Sequence, residues 1–589
     1  MSVYETGKWD LGDLFSGIEA DDFKNALKEV DDRVKEIEGW RGRLDDSTTN
    51  AAFRELLGKI EAMETLVMRI YSFVNLMFTA DSQDQKIIAM VGRIDALLAE
   101  IQNKTVFMSL WWKNLPDGVA ADHLAALPEY RYYLTKMRQT KPYTLSESEE
   151  KIIAMKNVSG AGAMQNLYSM ITNRYTFELE VDGEKKTMTR GEISQYFRDP
   201  DPDVRRRAYE ELYRVYAKDS AILTQIYQAL VRDWDSEGLT IRGYETAMSV
   251  RNVENDIPGE VVDLLLAKAQ ENKGVFQRYF RLKAKLLGLE GMRRSDLYAP
   301  SEETKKRYSF DEAVRMVQAA FDGFDPEFKQ KAMRVFNDRH IDSEIRAGKR
   351  DGAFCWTVCP DLTPYVQVNY QGKLEDVSTL AHELGHAIHS MMAEKQNIFQ
   401  QHACLPLAET ASTFCEMVLS DYLMAHETDK LVRRTLLMTS MDGNYATIQR
   451  QAYFALFERD AHALIREGAD TDALNELYMK NLQDQFGDSL DVNAEFKGEW
   501  TVIPHIFYTP FYVYAYSFGQ LLVLSLFKAY KEEGKSFIPR MKQLLATGGS
   551  LAPEAVLKKA GFDFRDPAFW QGGFDILSDI VDQIEALSK

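Results

Sequence analysis

The chain is 589 residues long, 45% hydrophobic and 27% charged, a globular composition with ample apolar material for large cores, which excludes a disordered or collagen-like chain. Its 71 basic and 90 acidic residues leave a net charge of −19, a field that repels phosphate backbones and anionic lipid, so neither nucleic acid nor a membrane is an expected partner. Four cysteines are too few to staple a chain of this length and form no paired zinc-ribbon pattern, which fits a reducing, cytoplasmic setting.

Residues 1 to 20 carry Glu5, Asp10, Asp13 and Glu19 and no uninterrupted apolar core, unlike a secretory signal, so the mature chain is expected to start near Met1. Phe23, Leu27, Val30, Val34 and Ile37 recur at spacings of three and four, which predicts an amphipathic helix, and similar patterns continue through residues 48 to 108. After the Lys141-Pro142 break, Ser146 and Glu149 have capping-box spacing ahead of Ile152, Ile153 and Met155, marking another helix start. Phe177, Leu179 and Val181 alternate with Glu178 and Glu180 and then meet Asp182-Gly183, which predicts a hairpin over 177 to 188. Asp201 and Pro202 sit where an N-cap and a first helical residue belong, and Val204, Ala208, Leu212 and Tyr216 continue that helix. A boundary near residues 190 to 200 divides the chain into a helical region, 1–190, that ends in the hairpin, and a second region, 191–589. Further helices are expected at about 258 to 287, 310 to 322 and 326 to 338. From Gly348 to Gly372, glycines, aromatics and the alternating run from Tyr365 to Tyr370 predict loop and strand, with helix resuming at about Glu375. The fold class is therefore mostly α with a small β component near the helix that begins there.

That helix carries His382-Glu383-Leu384-Gly385-His386, which puts two imidazoles on one face, within reach of a single ion. Residue frequencies give about 0.01 chance occurrences of such a pattern in the chain, so chance is not its explanation. Glu383 lies about 100° round the helix, where it can approach a metal-bound water. A catalytic zinc site needs a third protein ligand. His389 is about 10 Å along the axis from His382, too far to share an ion with both histidines, and reads as a supporting or packing residue. Glu409 and Glu416, seven apart on an apolar helix, offer the third ligand and an acceptor for the free N–H of a ligand histidine, respectively. The cysteines match no zinc spacing with a nearby histidine. His402 reads as a surface histidine, with a cleft-lining loop as the alternative.

From Trp500 to Phe527 the chain has no Asp, Glu, Lys or Arg, long enough to span a bilayer, yet His505, Thr509, Pro510, Ser517, Gln520 and several tyrosines are too polar for lipid. The segment reads as the buried wall of an internal cleft. If a helix starts at Pro510, Tyr512 and Tyr516 share a face and Tyr514 points away.

Together these residues resemble the oligoendopeptidase F branch of the thimet oligopeptidase-like zinc peptidases. The resemblance rests on His382 through His389, on Ala408-Glu409-Thr410-Ala411-Ser412, on Pro364-Tyr365 through Gly372, and on His505 with Phe511-Tyr512-Val513-Tyr514. Weaker echoes at Trp9-Asp10-Leu11, Thr144 to Glu147, Arg242-Gly243-Tyr244 and Asp296 to Pro300 extend it over nearly the whole chain. It implies a two-lobed helical body around a deep channel, one zinc held by His382, His386 and Glu409, Glu383 as general base, and cleavage of short peptides rather than folded proteins. It also implies that a histidine and tyrosines near the C-terminus bind the oxyanion and the substrate backbone, for which His505, Tyr508 and Tyr512 stand ahead of Tyr514. A neutral imidazole or phenol on an uncharged wall suits that task.

The expected activity is zinc-dependent hydrolysis of internal bonds in oligopeptides of up to roughly twenty residues, a limit set by how much extended chain a cleft grips. The strand carrying Tyr365, Gln367 and Asn369 is expected to pair with the substrate backbone. A zinc carboxypeptidase or dipeptidase is the alternative, though no arginine in the C-terminal motif offers to hold a terminal carboxylate. A peptide-binding protein without turnover is the reading outside enzymes. A monomer is expected, with a homodimer as the alternative.

Overall fold

The computed structural model describes residues 4–300 and 306–589; Met1, the expected start, lies outside them. The chain divides into two compact units, each assembled from three stretches: Met1–Lys141, Lys305–His426 and Ala529–Asp563 in the first, and Pro142–Thr304, Glu427–Lys528 and Phe564–Lys589 in the second. Residue 190, where the sequence suggests a boundary, falls inside the second unit.

The first unit opens on helix Asp21–Glu38, whose Phe23, Val30, Val34 and Ile37 form the buried stripe that the spacing predicts. Helix Asn50–Ala80 follows, its N-terminus closed by the Thr49 side chain on the Ala52 N–H, and Asp84 caps helix Gln85–Asn114 in the same way. Their apolar faces form one core with Trp112, Val358, Cys359 and Tyr365, so the N-terminal helices pack directly on the sheet that supports the histidine motif.

That sheet has three short strands in the order Ile341–Asp342, Tyr365–Gln367, Phe354–Trp356. Tyr365–Gln367 is parallel to the first and antiparallel to the last, with Val366 opposite both Ile341 and Cys355. Both of its edges are therefore taken, and Tyr365 and Gln367 are fully buried. The expectation that this strand pairs with substrate is corrected: Gln367 and Asn369 donate instead to the Arg350 carbonyl at 3.0 and 3.1 Å, tying down the loop that leads to Phe354–Trp356. The outer strands are Ile341–Asp342 and Phe354–Trp356, and the outward edge of Phe354–Trp356 is paired by no described strand.

In the second unit the hairpin forms as read, Phe177–Val181 against Glu184–Met188, with Asp182 and Gly183 at φ 55° and 77° supplying the left-handed turn. The predicted sheet near the motif helix is thus the three-stranded one, and the hairpin belongs to the other unit. Ser146 and Glu149 make their reciprocal capping box on helix Glu147–Ser159, and Asp201 caps helix Pro202–Ala217 through the Asp203 N–H. The single helix expected over 258 to 287 is two, Gly259–Glu271 and Lys273–Leu286, joined at Asn272. Tyr227, Trp500 and Phe507 pack ring against ring in the core, and Arg294 and Glu499 meet there at 2.6 Å, both almost fully buried.

The uncharged stretch from Trp500 is broken three ways: a 3₁₀ segment Ala494–Val502, a short helix Pro504–Tyr508, and a helix that begins at Tyr514 rather than Pro510. The start is delayed because Phe511 takes a left-handed backbone, φ 57°. Among the described residues no helix is long and apolar enough to cross a membrane.

Candidate metal centre

The motif helix, Leu374–Met392, starts after a turn in which the Asp376 carboxylate accepts the N–H groups of Gln371 and Lys373 at 2.8 and 2.9 Å. Val377, Leu380, Ala381, Leu384 and Ile388 bury one side of it. His382 and His386 project one turn apart from another face. Against this helix lies Thr410–His426, and the crossing is close enough that a Cβ added to Gly385 would clash with the backbone of Ala411 and Ser412. Glycine at the fourth position of the motif is what lets the second helix bring Glu409 to the histidines.

Glu409 is not inside a continuous helix, as its spacing to Glu416 suggests. It stands at the break between a single turn, Leu405–Ala408, and Thr410–His426, where its carbonyl receives the Thr413 N–H at 3.1 Å. Its Oε2 is 3.3 Å from His382 Nε2 and 3.2 Å from His386 Nε2, and the two imidazole nitrogens are 3.2 Å apart. A tetrahedral zinc ion with bonds of 2.0–2.1 Å separates its ligand atoms by about 3.3–3.4 Å. The three donors thus already form one face of that tetrahedron, and two imidazoles with one carboxylate suit zinc chemically. No described cysteine joins them.

The supporting contacts follow the same logic. Glu416 Oε1 lies 2.5 Å from His382 Nδ1, which fixes the tautomer that leaves Nε2 free for a metal. Ser412 donates to Glu409 Oε2 at 2.7 Å and holds that carboxylate in place. This role escaped the sequence reading, although the Glu-x-x-Ser spacing that brings the two together was visible. His389 is buried and hydrogen bonded to the Ala408 backbone, so it steadies the residue before Glu409, and burial pushes its imidazole down to about 4.

Burial would raise the Glu409 carboxyl, but its contacts with His382 and His386 outweigh that and hold it far below the ordinary range. For His382, burial works downward while Glu409 and Glu416 lift the imidazole to about 10. Binding a dication here would displace that proton, because only the deprotonated nitrogen has a lone pair to give. Glu383 is buried, and desolvation pushes its carboxyl up against the pull of both histidines.

The donors and Glu383 line a cavity of about 360 Å³ whose other walls include Phe354, Thr357, Ser390, Gln401 and His402. His402 is therefore a cavity residue rather than a plain surface histidine. Phe354 brings the outward edge of its strand to the same cavity.

His505, Tyr508 and Tyr512 belong to the second unit. His505 and Tyr512 lie with their rings parallel, 6.2 Å between centroids, and Tyr516 closes the group at 5.9 and 5.2 Å. Burial first, and the Arg450 charge second, lower the His505 imidazole and keep it neutral. Tyr508 is placed elsewhere: its hydroxyl meets Ser169 and the Gln165 carbonyl of helix Ala161–Asn173. Tyr514 is buried, its hydroxyl accepting from Asn255 at 2.9 Å. Tyr516, absent from the sequence-derived set, is the ring that joins His505 and Tyr512.

Residues 195–576 match the sequence model of the family described as Peptidase family M3, and residues 111–177 match one described as Oligopeptidase F. Oligopeptidase PepF of Bacillus subtilis is 25% identical over 98% of this chain and 87% of its own length. A solved chain from Chlamydophila abortus aligns over 98% of both chains with a TM-score of 0.89 at 24% identity. Oligoendopeptidase-F from Enterococcus faecium covers 96% of this chain and 99% of its own, with a TM-score of 0.72 at 23% identity. At those identities the structural likeness shows the fold.

Proposed function

The chain belongs to Peptidase family M3, whose model spans residues 195–576, and is accordingly a metallopeptidase; from that premise we propose that it is a zinc endopeptidase cutting internal bonds of short oligopeptides. The observation that carries the reading is the triangle of His382, His386 and Glu409 donors, 3.2–3.3 Å on a side, beside the buried Glu383 in one cavity. Bound there, zinc would supply Lewis acidity toward a water and a peptide carbonyl.

The chain's own residues do the rest. Glu383 takes the proton from the attacking water and passes it to the leaving amide nitrogen, the two halves of general acid–base catalysis. Glu416 keeps His382 in the metal-binding tautomer, and Ser412 keeps the Glu409 carboxylate from turning away. The free edge of Phe354–Trp356 supplies backbone groups for an extended peptide, giving affinity with little dependence on side chains. His505 and Tyr512, a neutral imidazole beside a phenol, are assigned as donors to the developing oxyanion on the strength of that chemistry. Four cysteines in 589 residues support a reducing, cytoplasmic setting.

Mass spectrometry of the products from oligopeptides of graded length tests the proposal. Internal cuts that disappear with a chelator and return with zinc are expected. Trimming from one end alone would replace endopeptidase by exopeptidase, and no cutting by the zinc-loaded protein would defeat the peptidase reading.

A further inference from the structure

Gln401, in the loop after the motif helix, is 3% exposed, yet its amide oxygen Oε1 receives no hydrogen bond from any described residue. A buried amide oxygen left without a donor is unfavourable, and such an atom calls for a reason. The loop gives the residue no freedom to escape. The Gly549 N–H donates to the Gln400 carbonyl at 2.7 Å, and a Cβ added to Gly548, at φ 51°, would come within 2.7 Å of the carbonyl oxygens of both Gln400 and Gln401. The side chain held in this way lines the metal cavity, in the first unit, together with His382, His386 and Glu409.

The same cavity holds the complementary group. Thr357 and Ser390 both line it, their hydroxyl oxygens 2.5 Å apart. Each hydroxyl carries one proton, and only one of the two protons can lie in the bond between them. The other is left to donate, since among the described residues neither oxygen has a further partner. Ser390 continues the spacing of four set by His382 and His386, about 6 Å along the axis from His386. Thr357 directly follows strand Phe354–Trp356. The hydroxyl pair thus stands between the strand edge proposed to hold the peptide and the helix that carries the histidines.

On the reading that the substrate is an oligopeptide, we infer that Gln401, Thr357 and Ser390 form a subsite for an amide side chain, asparagine or glutamine, on a residue flanking the cleaved bond. The substrate NH₂ donates to Gln401 Oε1, and the substrate carbonyl accepts the spare hydroxyl proton. Only a side chain that both gives and receives answers both walls. A leucine leaves the Gln401 oxygen unpaired. An aspartate has no proton to give and shares the cavity with Glu383 and Glu409, whereas a lysine gives and cannot receive. Serine and threonine do both with a single proton and a shorter reach.

The test varies each residue flanking the cleaved bond of one host peptide among asparagine and its near-isosteres leucine and aspartate, and reads kcat/KM with the zinc-loaded protein. Ratios are formed within each variant, so a general change in folding or chemistry cancels. The wild type should favour asparagine over both isosteres at one position by roughly five- to hundredfold, the size of one buried acceptor left unpaired. The ratio over leucine should fall to near one in Gln401→Leu. It should fall several-fold in a Thr357→Val, Ser390→Ala double variant, which decides the matter if Gln401→Leu does not fold. Calorimetry with zinc-loaded Glu383→Gln reads the same preference as a ratio of Kd without turnover. A wild type that favours leucine or is indifferent at both positions, or a preference that survives Gln401→Leu, overturns the subsite, while cutting of the host leaves the peptidase reading standing. A wild type that cuts no peptide sinks that reading, and the Kd ratio still decides the subsite.

Discussion

A Cβ built on Gly385 would come within 2.6 Å of the Ser412 Cα, so the two helices that carry the metal donors touch backbone to backbone. In an isolated helix, replacing glycine by alanine gains about 1 kcal/mol. Here the added methyl meets main chain that has no rotamer to escape into, and overpacking of this kind costs about 1–3 kcal/mol. Gly385→Ala is expected to lower the denaturation midpoint and to weaken zinc binding, because the helix that must retreat leads out from Glu409. Unchanged stability and metal content would show that the crossing relaxes freely.

Glu409→Ala should leave a folded protein that no longer holds zinc at one ion per chain, since it removes one of three ligands. Metal analysis after dialysis reads the outcome. Tightly held, stoichiometric zinc in this variant would remove Glu409 from the ligand set.

With Glu383→Gln the expectation is opposite in kind: zinc retained, turnover lost by several orders of magnitude. The amide keeps the shape of the carboxylate and cannot accept the water's proton. Near-normal kcat with zinc bound would dismiss Glu383 as the base.

Tyr512→Phe and His505→Ala should each lower kcat on the order of 10²-fold with little change in KM if the side chains donate to an oxyanion, a contact strongest in the transition state. A rise in KM at constant kcat would make them ground-state contacts instead. Tyr508→Phe should have the smaller effect, because its hydroxyl is engaged by Ser169 and Gln165.

The buried Glu458 accepts the Phe511 N–H at 2.9 Å and thereby holds the left-handed residue that precedes Tyr512. Burial pushes the Glu458 carboxyl up to about 8, against the smaller effects of that N–H and of Arg251. Its folded value lies above the unfolded one of about 4.3, so the folded state binds the proton more tightly. Stability from this group is full below the unfolded value and drains away as pH rises toward 8. Glu458→Gln should therefore flatten the fall in Tm between about pH 4.3 and about pH 8, and leave the slope at higher pH unchanged. A Tm that declines as steeply in the variant as in the wild type would assign the slope to other groups.

Much of this was readable in the residues. Apolar spacing located helix Asp21–Glu38, reciprocal caps located the start at Glu147, and Asp182-Gly183 located the hairpin, because each is set by local physics. The motif histidines were placed by helical periodicity alone. What escaped depended on partners distant in sequence. The alternation at 365 to 370 announced a strand but not that both of its edges are occupied. The left-handed turn at Phe511, held by a carboxyl 53 residues upstream, moved the helix start from Pro510 to Tyr514. The break at Glu409 was likewise invisible, since Leu407, Ala408 and Ala411 read as continuous helix until the close crossing at Gly385 is known.

The division of the first unit into three stretches has a consequence for how the enzyme comes into being. His382 and Glu409 are translated long before Gly549, whose N–H clasps the Gln400 carbonyl in the loop between them. At about 5–20 residues per second the ribosome takes roughly ten to thirty seconds to travel from the histidines to that glycine. Throughout that interval the hydrolytic machinery lacks the piece that secures its cavity wall. A peptidase built this way cannot be fully assembled while most of its own chain is still an extended, cleavable peptide emerging beside it.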